Sequence, residues 1–284
     1  MHDWARLLEP LRADRTSGSS QLYQQLLSIL TTALNQSELV GANLVELPAA
    51  VTATRREMAC FHYAGAALAA AVTGGGGSDL TAHLRELLQR LTADHQLART
   101  QIVSHFWPIG SNWEAIMLHS NSGILEQAVT EIFNRKTRIF LSEARPDVEG
   151  LRLATKLAAD KFAVTIFPDD ARLTFLKEVN AVLLGADWIA EADFTNKVGT
   201  HALCRFAADL RLPVYVLADR SKLAPAHLRP SRHESAVPIA DRITRIDRLF
   251  EETPNRLVTS FVTDLGALSP AQLPAAIHEN LSKF

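Results

Sequence analysis

The chain has 284 residues, of which 47% are hydrophobic, and its formal net charge at pH 7 is −2. Such a length suits one large domain or two smaller ones, and the apolar content is ample for a packed core. The near-neutral charge argues against direct nucleic-acid binding through bulk electrostatics. With only two cysteines, Cys60 and Cys204, the chain lacks the residues for a disulfide scaffold or a four-cysteine zinc site.

No targeting or membrane-spanning segment is expected. The N-terminal stretch carries acidic side chains rather than the apolar core of a signal peptide. The longest apolar stretch, 61–72, is far shorter than the roughly 20 residues that a membrane span needs. We therefore expect a cytoplasmic protein that makes no contact with a membrane.

Residues 1–108 are predicted to form an N-terminal helical domain. Apolar side chains recur at helical spacing in four segments, at 4–11, 22–34, 54–72 and 79–104. Between the first two segments, Arg15–Ser20 is a loop that contains Gly18 and Ser19 and opens onto a helix. This loop is either an ordinary helix cap or a phosphate grip formed by Arg15 and free backbone N–H groups.

Residues 109–284 are predicted to form an α/β domain with a Rossmann-like parallel sheet. Segments of about 12–25 residues separate its strand-length apolar runs, which is typical of strand–helix–strand crossovers. These runs are Ala115–Leu118, Arg138–Leu141, Ala163–Phe167, Ala181–Leu184 and Val214–Leu217. A last run, Leu257–Val262, is compatible with a helix or an edge strand, and we predict a helix.

Polar residues follow every predicted strand, and ligands of an open parallel sheet bind outside the carboxyl ends of its strands. Solvated turns are polar as well, so the whole set carries more weight than any single residue. The pattern of a new helix begins at Gly199-Thr200, and an amide and an ammonium just before a helix N-terminus suit a phosphorylated polyol. The residues at this edge include Ser120, Asn121, Arg145, Asp169, Asp170, Asp187, Asp193, Asn196, Lys197, Asp219, Arg220, Ser221 and Lys222.

Four ordered segments resemble one protein family, which comprises the initiation factor 2B alpha, beta and delta subunits, ribose-1,5-bisphosphate isomerase and methylthioribose-1-phosphate isomerase. The segments are SEARPDVEG (142–150), LLGADWIAEADFTNKVGT (183–200), LPVYVLADRSKL (212–223) and EETPNRLVTSFVTDLGALSP (251–270). The second segment is one residue shorter than the family pattern, with Glu191-Ala192-Asp193 in place of a longer loop. The resemblance implies the initiation factor 2B fold, with a helical region before the sheet.

The resemblance also implies which residues act. The family's isomerases use a cysteine just after the first strand of the sheet domain, together with an aspartate of the GAD…NK stretch. By this correspondence Asp193 is the catalytic aspartate and Ser120 replaces the cysteine. Arg145, Asn196 and Lys197 match ligand-contacting positions. The remaining substrate-binding candidates are Arg15, Gly18, Ser19, Asn121 and Asp187.

Serine at the cysteine position alters the expected chemistry. A thiol with a pKa of about 8.5 can exchange a proton near neutrality. A serine hydroxyl cannot do so unless a base activates it, and His119 is its neighbour in the sequence. The site is therefore expected to be retained for binding and altered for catalysis.

Neither a metal nor another cofactor is expected. The histidines lack any paired spacing typical of metal ligands. The glycine run at 73–78 has no preceding strand and no following Lys-Ser/Thr, so it is predicted to be a flexible connector rather than a nucleotide-binding loop.

Three functions remain open on this sequence. The chain is a sugar-phosphate aldose–ketose isomerase, a non-catalytic regulatory subunit that senses a sugar phosphate or nucleoside monophosphate, or an assembly subunit with an empty site. The family forms dimers through its sheet domain, so a homodimer or a higher homo-oligomer is expected. The apolar block 256–275 contributes either to that contact or to the core.

Overall fold

Helices form the first part of the chain. The computed structural model describes residues 4–14, 16–36, 42–74, 80–230 and 234–282. The helices are α1 (Trp4–Ala13), α2 (Ser19–Asn35), α3 (Leu47–Thr54), α4 (Ala59–Gly74) and α5 (Leu80–Gly110). Their apolar stripes meet in one buried cluster, in which Leu8, Leu26 and Phe61 are fully buried. The predicted helical region is thus confirmed, whereas most of the glycine run at 73–78 lies outside the described residues.

The long helix α5 runs past the predicted domain boundary. It continues to Gly110 with Pro108 in its last turn, and its C-terminal half packs on the sheet through Ile102 and Phe106. The division into 1–108 and 109–284 stays a prediction.

Strands and helices alternate after α5. The strands are β1 (Ala115–Leu118), β2 (Arg138–Ser142), β3 (Ala163–Phe167), β4 (Ala181–Leu184), β5 (Trp188–Ile189), β6 (Asp193–Lys197), β7 (Val214–Leu217), β8 (Glu234–Ala240), β9 (Ile243–Arg248), β10 (Phe250–Pro254), β11 (Ser260–Thr263) and β12 (Gly266–Leu268). The helices are α6 (Gly123–Ile132), α7 (Glu149–Ala159), α8 (Arg172–Leu176), α9 (Thr200–Asp209) and α10 (Leu273–Leu281).

The main sheet has seven strands in the order β12-β11-β7-β4-β1-β2-β3. All neighbours pair in parallel except β11 and β12. From β1 the chain adds strands on one side, and from β4 it adds strands on the other. The strand order therefore reverses between β1 and β4, which is where open parallel sheets bind their ligands.

Helices cover both faces of the central strands, which explains why β1 and β4 are apolar throughout, whereas β3 at the edge of the sheet is largely exposed. Along β1, Met117 packs towards Leu203 of α9, whereas Ile116 packs towards Leu125 of α6. This α/β arrangement after a helical region confirms the predicted fold class.

The prediction of a helix over Leu257–Val262 was wrong. Asn255–Leu257 forms a short 3-10 turn, and Ser260–Thr263 forms strand β11 beside β7. An apolar run of this length fits the periodicity of a helix as well as that of a strand. Pairing with β7 favours the strand because it buries Phe261 and Val262 completely.

A smaller antiparallel sheet was not predicted. Its order is β10-β6-β5, with Trp188 opposite Thr195 and Ile189 opposite Phe194. Strands β8 and β9 form a separate hairpin. No helix within the described residues combines the length and apolar character needed to cross a membrane.

Candidate functional site

A polar cavity of about 330 Å³ lies at the point where the strand order reverses. It opens between the carboxyl ends of β1 and β4 on one side and the start of α2 on the other; we call it the switch-point cavity. Six of the predicted site residues line it, namely Gly18, Ser19, Ser120, Asn121, Asp187 and Asn196. The structure thus brings together residues more than 170 positions apart in the sequence.

An adjoining cavity of about 370 Å³ contains Lys197 in its wall. The two cavities share four lining residues, Ser17, Met58, Glu149 and Phe250. Lys197 is 2% exposed and lies over the Phe250 ring, with its ammonium 5.9 Å from the ring centroid. The predicted residue Lys197 therefore lies next to the switch-point cavity rather than in its wall.

Two helices point their N-termini at the switch-point cavity. Helix α2 begins after Gly18, and α6 begins after Ser122. Helix N-termini present backbone N–H groups and a partial positive charge. The described cationic side chains in the wall are Arg99, Lys156 and Lys222. This environment suits an anionic group such as a phosphate.

The Ser120 hydroxyl is held by a carboxylate. Ser120 has a positive φ of 69°, which a non-glycine residue adopts at a cost. Its Oγ donates to Oε2 of Glu149 at 2.7 Å. Lys197 donates to the other carboxylate oxygen at 2.9 Å and to Asp147 at 3.1 Å. Serine, glutamate and lysine thus form one connected chain that links the two cavities.

Sequence reasoning did not single out Glu149, although it lies in the SEARPDVEG segment. A carboxylate in the first turn of a helix is common because it complements the helix dipole. Only its contacts with Ser120 and Lys197 distinguish it from such a residue.

His119 bonds to groups other than Ser120. A neutral imidazole has one donor and one acceptor nitrogen. Nε2 donates to the Val198 carbonyl at 2.9 Å, so Nδ1 accepts from the Ser142 hydroxyl at 2.7 Å. Burial and the nearby Arg172 cation lower the pKa of His119 to about 4. His119 is therefore neutral and is not the base for Ser120.

Asp187 lies just after β4. Together with β1, this strand flanks the point where the strand order reverses. Burial raises the pKa of this carboxyl, although the Lys222 ammonium and a hydrogen bond from Ser19 act in the opposite direction. An aspartate with a raised pKa keeps its proton at higher pH than an exposed one, as a general acid requires. Asn196 is positioned nearby and donates to the Thr200 hydroxyl at 3.1 Å.

Two predicted site residues lie elsewhere, and the position of a third is not described. Asp193 is absent from the described wall of either cavity, and its carboxylate binds Arg229 at 2.5 Å. The Arg145 side chain is 65% exposed and pairs with Glu143 at 3.1 Å. Arg15 lies outside the described residues.

Among the described residues, no group of three or more His, Cys, Asp or Glu side chains is arranged to hold a metal ion. That the protein uses no metal and no other cofactor stays a prediction.

Comparison with known proteins shows the family of this chain. The initiation factor 2 subunit family matches residues 15–270. The chain belongs to this family. The resemblance seen in the sequence segments is thereby confirmed.

The relatives of this initiation factor 2 family member include isomerases. Methylthioribose-1-phosphate isomerase from Acetivibrio thermocellus is 27% identical over 206 residues, which cover 62% of this chain and 58% of that protein. 5-deoxyribose 1-phosphate isomerase from Moorella thermoacetica is 28% identical over 238 residues, which cover 72% of this chain and 66% of that protein. The chain thus matches less than two thirds of the length of either relative.

The fold is also that of a solved family structure. The translation initiation factor eIF-2B from Pyrococcus horikoshii OT3 superposes with a TM-score of 0.81 at 21% identity, and the alignment covers 96% of this chain and 98% of that one. In this family member three of the four motif segments reach the site, since 142–150 carries Glu149, 183–200 carries Asp187 and Asn196, and 212–223 carries Lys222.

Proposed function

We propose that the chain binds a phosphorylated pentose in the switch-point cavity and converts the aldose into the ketose. The observation that carries this proposal is the convergence of Ser120, Asp187 and Asn196 on one polar cavity at the reversal of strand order. The relatives' names, which specify methylthioribose 1-phosphate and 5-deoxyribose 1-phosphate, support this substrate class.

The phosphate is assigned to the N-termini of α2 and α6. Backbone N–H groups and helix dipoles at these ends favour an anion. Arg99 adds positive charge beside α6, where it donates to the Gly123 carbonyl at 3.0 Å. This placement directs the sugar carbons towards Ser120 and Asp187.

Asp187 and Ser120 are assigned the proton transfers. Isomerising an aldose 1-phosphate needs an acid at the ring oxygen and a group that moves a proton from C2 to C1. Asp187 suits the first task because burial raises its pKa. It replaces Asp193 in this role, since the Asp193 carboxylate is bound to Arg229 outside both cavities. Ser120, at the position of the family's cysteine, is assigned the transfer of the proton from C2 to C1.

One observation favours a second candidate function, a non-catalytic sensor of a phosphorylated ligand. The cysteine position carries Ser120, whose hydroxyl is a poorer proton-exchanging group than a thiol. A sensor would bind sugar phosphates or nucleoside monophosphates, and the ligand would raise its melting temperature without being consumed.

Self-association is also proposed, on the family resemblance alone. Within the block 256–275, Phe261 and Val262 are fully buried in the core, so they are not available for a contact. Leu265 is 37% exposed and remains accessible. Sedimentation velocity would measure the oligomeric state.

The isomerase is tested with two matched aspartate variants. The purified chain is incubated with methylthioribose 1-phosphate, 5-deoxyribose 1-phosphate and ribose 1,5-bisphosphate, and ketose formation is followed by NMR. We expect turnover of at least one substrate and a loss of kcat of about 100-fold or more in Asp187→Asn. Asp193→Asn makes the same change six residues later and should stay within about threefold of the unmodified chain.

The outcomes separate the candidates. Ketose formation that Asp187→Asn leaves unchanged contradicts the assignment of Asp187. A rise in melting temperature without any product supports the sensor, and the absence of both effects contradicts the binding site itself.

A further inference from the structure

We propose that Glu149, acting through the Ser120 hydroxyl, takes the substrate proton and returns it, while Lys197 holds Glu149 in place. This inference rests on the proposed isomerase activity. It identifies the base that is required when a serine stands at the position of the family's cysteine.

The geometry gives the Glu149 carboxylate two separate tasks. Lys197 donates to Oε1 at 2.9 Å, and Ser120 donates to Oε2 at 2.7 Å. The Lys197 side chain is 2% exposed and that of Glu149 is 19% exposed, so water competes little for either contact. A carboxylate fixed at one oxygen by a buried ammonium presents its other oxygen to the hydroxyl in a constant orientation.

The other neighbouring groups are already engaged. His119 bonds to Ser142 and Val198, and burial keeps it neutral. Asp147 contacts Lys197 rather than Ser120, at 3.1 Å. The structure therefore assigns the base for Ser120 to Glu149, and the positive φ of Ser120 holds the hydroxyl at the end of β1 towards the cavity.

The resulting proton transfers balance. In the first step Asp187 gives its proton to the ring oxygen as the bond from C1 to that oxygen breaks. Ser120 takes the proton from C2 and passes its own to Glu149, and the C2–H electron pair forms the C1–C2 double bond. In the second step the proton returns from Glu149 through Ser120 to C1, while the C2 hydroxyl becomes the carbonyl and its proton restores Asp187.

Glu149 acts through another side chain, so the test must separate its chemical role from a structural one. In Glu149→Gln the amide oxygen still accepts from Lys197, whereas the amide nitrogen donates to Ser120 and cannot take a proton from it. We expect kcat to fall by about 100-fold or more with KM within about threefold, and the melting temperature to change little. Glu149→Asp restores a carboxylate and should recover part of kcat.

A double variant tests whether the two residues act as a unit. Ser120→Ala and Glu149→Gln should each lower kcat by a similar factor, and the combined variant should be no slower than the slower single variant. Glu143→Gln is the matched control, because Glu143 lies on the same connection between β2 and α7 and pairs with the exposed Arg145. It should retain full activity.

Failure of this inference is distinguishable from failure of the proposed function. An unmodified chain that forms no ketose overturns both. An active chain whose Glu149→Gln variant keeps its kcat, or whose two single losses multiply in the double variant, overturns the role of Glu149 and leaves the isomerase standing.

Discussion

His119 is fully buried, and its ring connects β2 to the segment before α9. The imidazole accepts from Ser142 and donates to the Val198 carbonyl, so both nitrogens are used in the neutral form. Protonation would put a second donor against the Ser142 hydroxyl and a charge in a buried place beside Arg172. The residue thus stabilises the fold only while it stays neutral.

This arrangement predicts a pH-dependent stability. Because the folded pKa of about 4 lies below the ordinary value of 6.5, the contribution of His119 is complete above pH 6.5 and is lost as the pH falls towards 4. The difference corresponds to about 3 kcal/mol of unfolding free energy. In urea titrations His119→Asn should be less stable than the unmodified chain at pH 7 and should lose less stability on acidification.

His201 is the control for this measurement, because it is exposed on α9. His201→Asn should leave the pH dependence unchanged. His95 is also buried with a lowered pKa, so the His119→Asn variant keeps part of the slope. An unchanged slope in His119→Asn would contradict the prediction.

The choice between two aspartates shows what the sequence could and could not predict about the site. Asp187 and Asp193 both lie in the recognised segment, and residue type does not separate them. The hairpin of β5 and β6 separates them. Asp187 donates its N–H to the Thr195 carbonyl, which places it beside Asn196, whereas Asp193 begins β6, three residues before Asn196 and about 10 Å from it. The number of residues between two motif positions does not show whether the chain folds back on itself between them.

The start of α7 is the element that carries Glu149, and it lies very close to β2. A Cβ built on Gly150 would be 2.0 Å from the Ser142 carbonyl oxygen and 3.1 Å from that of Glu143. Both are backbone atoms, which cannot rotate away. The glycine therefore permits the approach that brings Glu149 to Ser120.

Gly150→Ala should consequently destabilise the chain by about 1–3 kcal/mol, because α7 must move away from β2. It should also lower activity by separating Glu149 from Ser120. Gly74→Ala, at the end of α4, is the control, since a Cβ there has no described neighbour within 4 Å. Chemical denaturation measures both variants, and equal stabilities would show that α7 adapts without cost.

Strands were predicted correctly where the local sequence had a clear apolar pattern. Apolar runs of strand length predicted the observed bounds of β1, β3, β4 and β7, although β3 is largely exposed at the edge of the sheet. Leu257–Val262 was predicted to be a helix and is partly strand β11, because its partner β7 lies more than 40 residues away in the chain. Strand β5 was missed because it has two residues, and β6 was missed because four of its five residues are polar.

The helical part and the sheet are joined by buried charge as well as by apolar contacts. Lys222 and Asp219 follow β7, and they are 1% and 6% exposed. The Lys222 ammonium donates to Cys60 of α4 at 3.2 Å, and Asp219 lies 3.8 Å from the His95 ring of α5. Burial alone would lower the pKa of Lys222, but Cys60, Asp219 and Asp187 raise it, so the ammonium stays charged.

Removing the Lys222 charge should lower the free energy of unfolding, since Asp219 would remain buried without a cation. Lys222→Met should cost about 3–5 kcal/mol of unfolding free energy, whereas Lys136→Met, at an exposed lysine, should cost little. Adding Asp219→Asn to Lys222→Met removes the stranded carboxylate, and Asn can still accept from Ser221. The double variant should therefore be more stable than the sum of the two single losses implies. Strictly additive losses in urea unfolding would mean that Lys222 and Asp219 stabilise the contact between helices and sheet independently of each other.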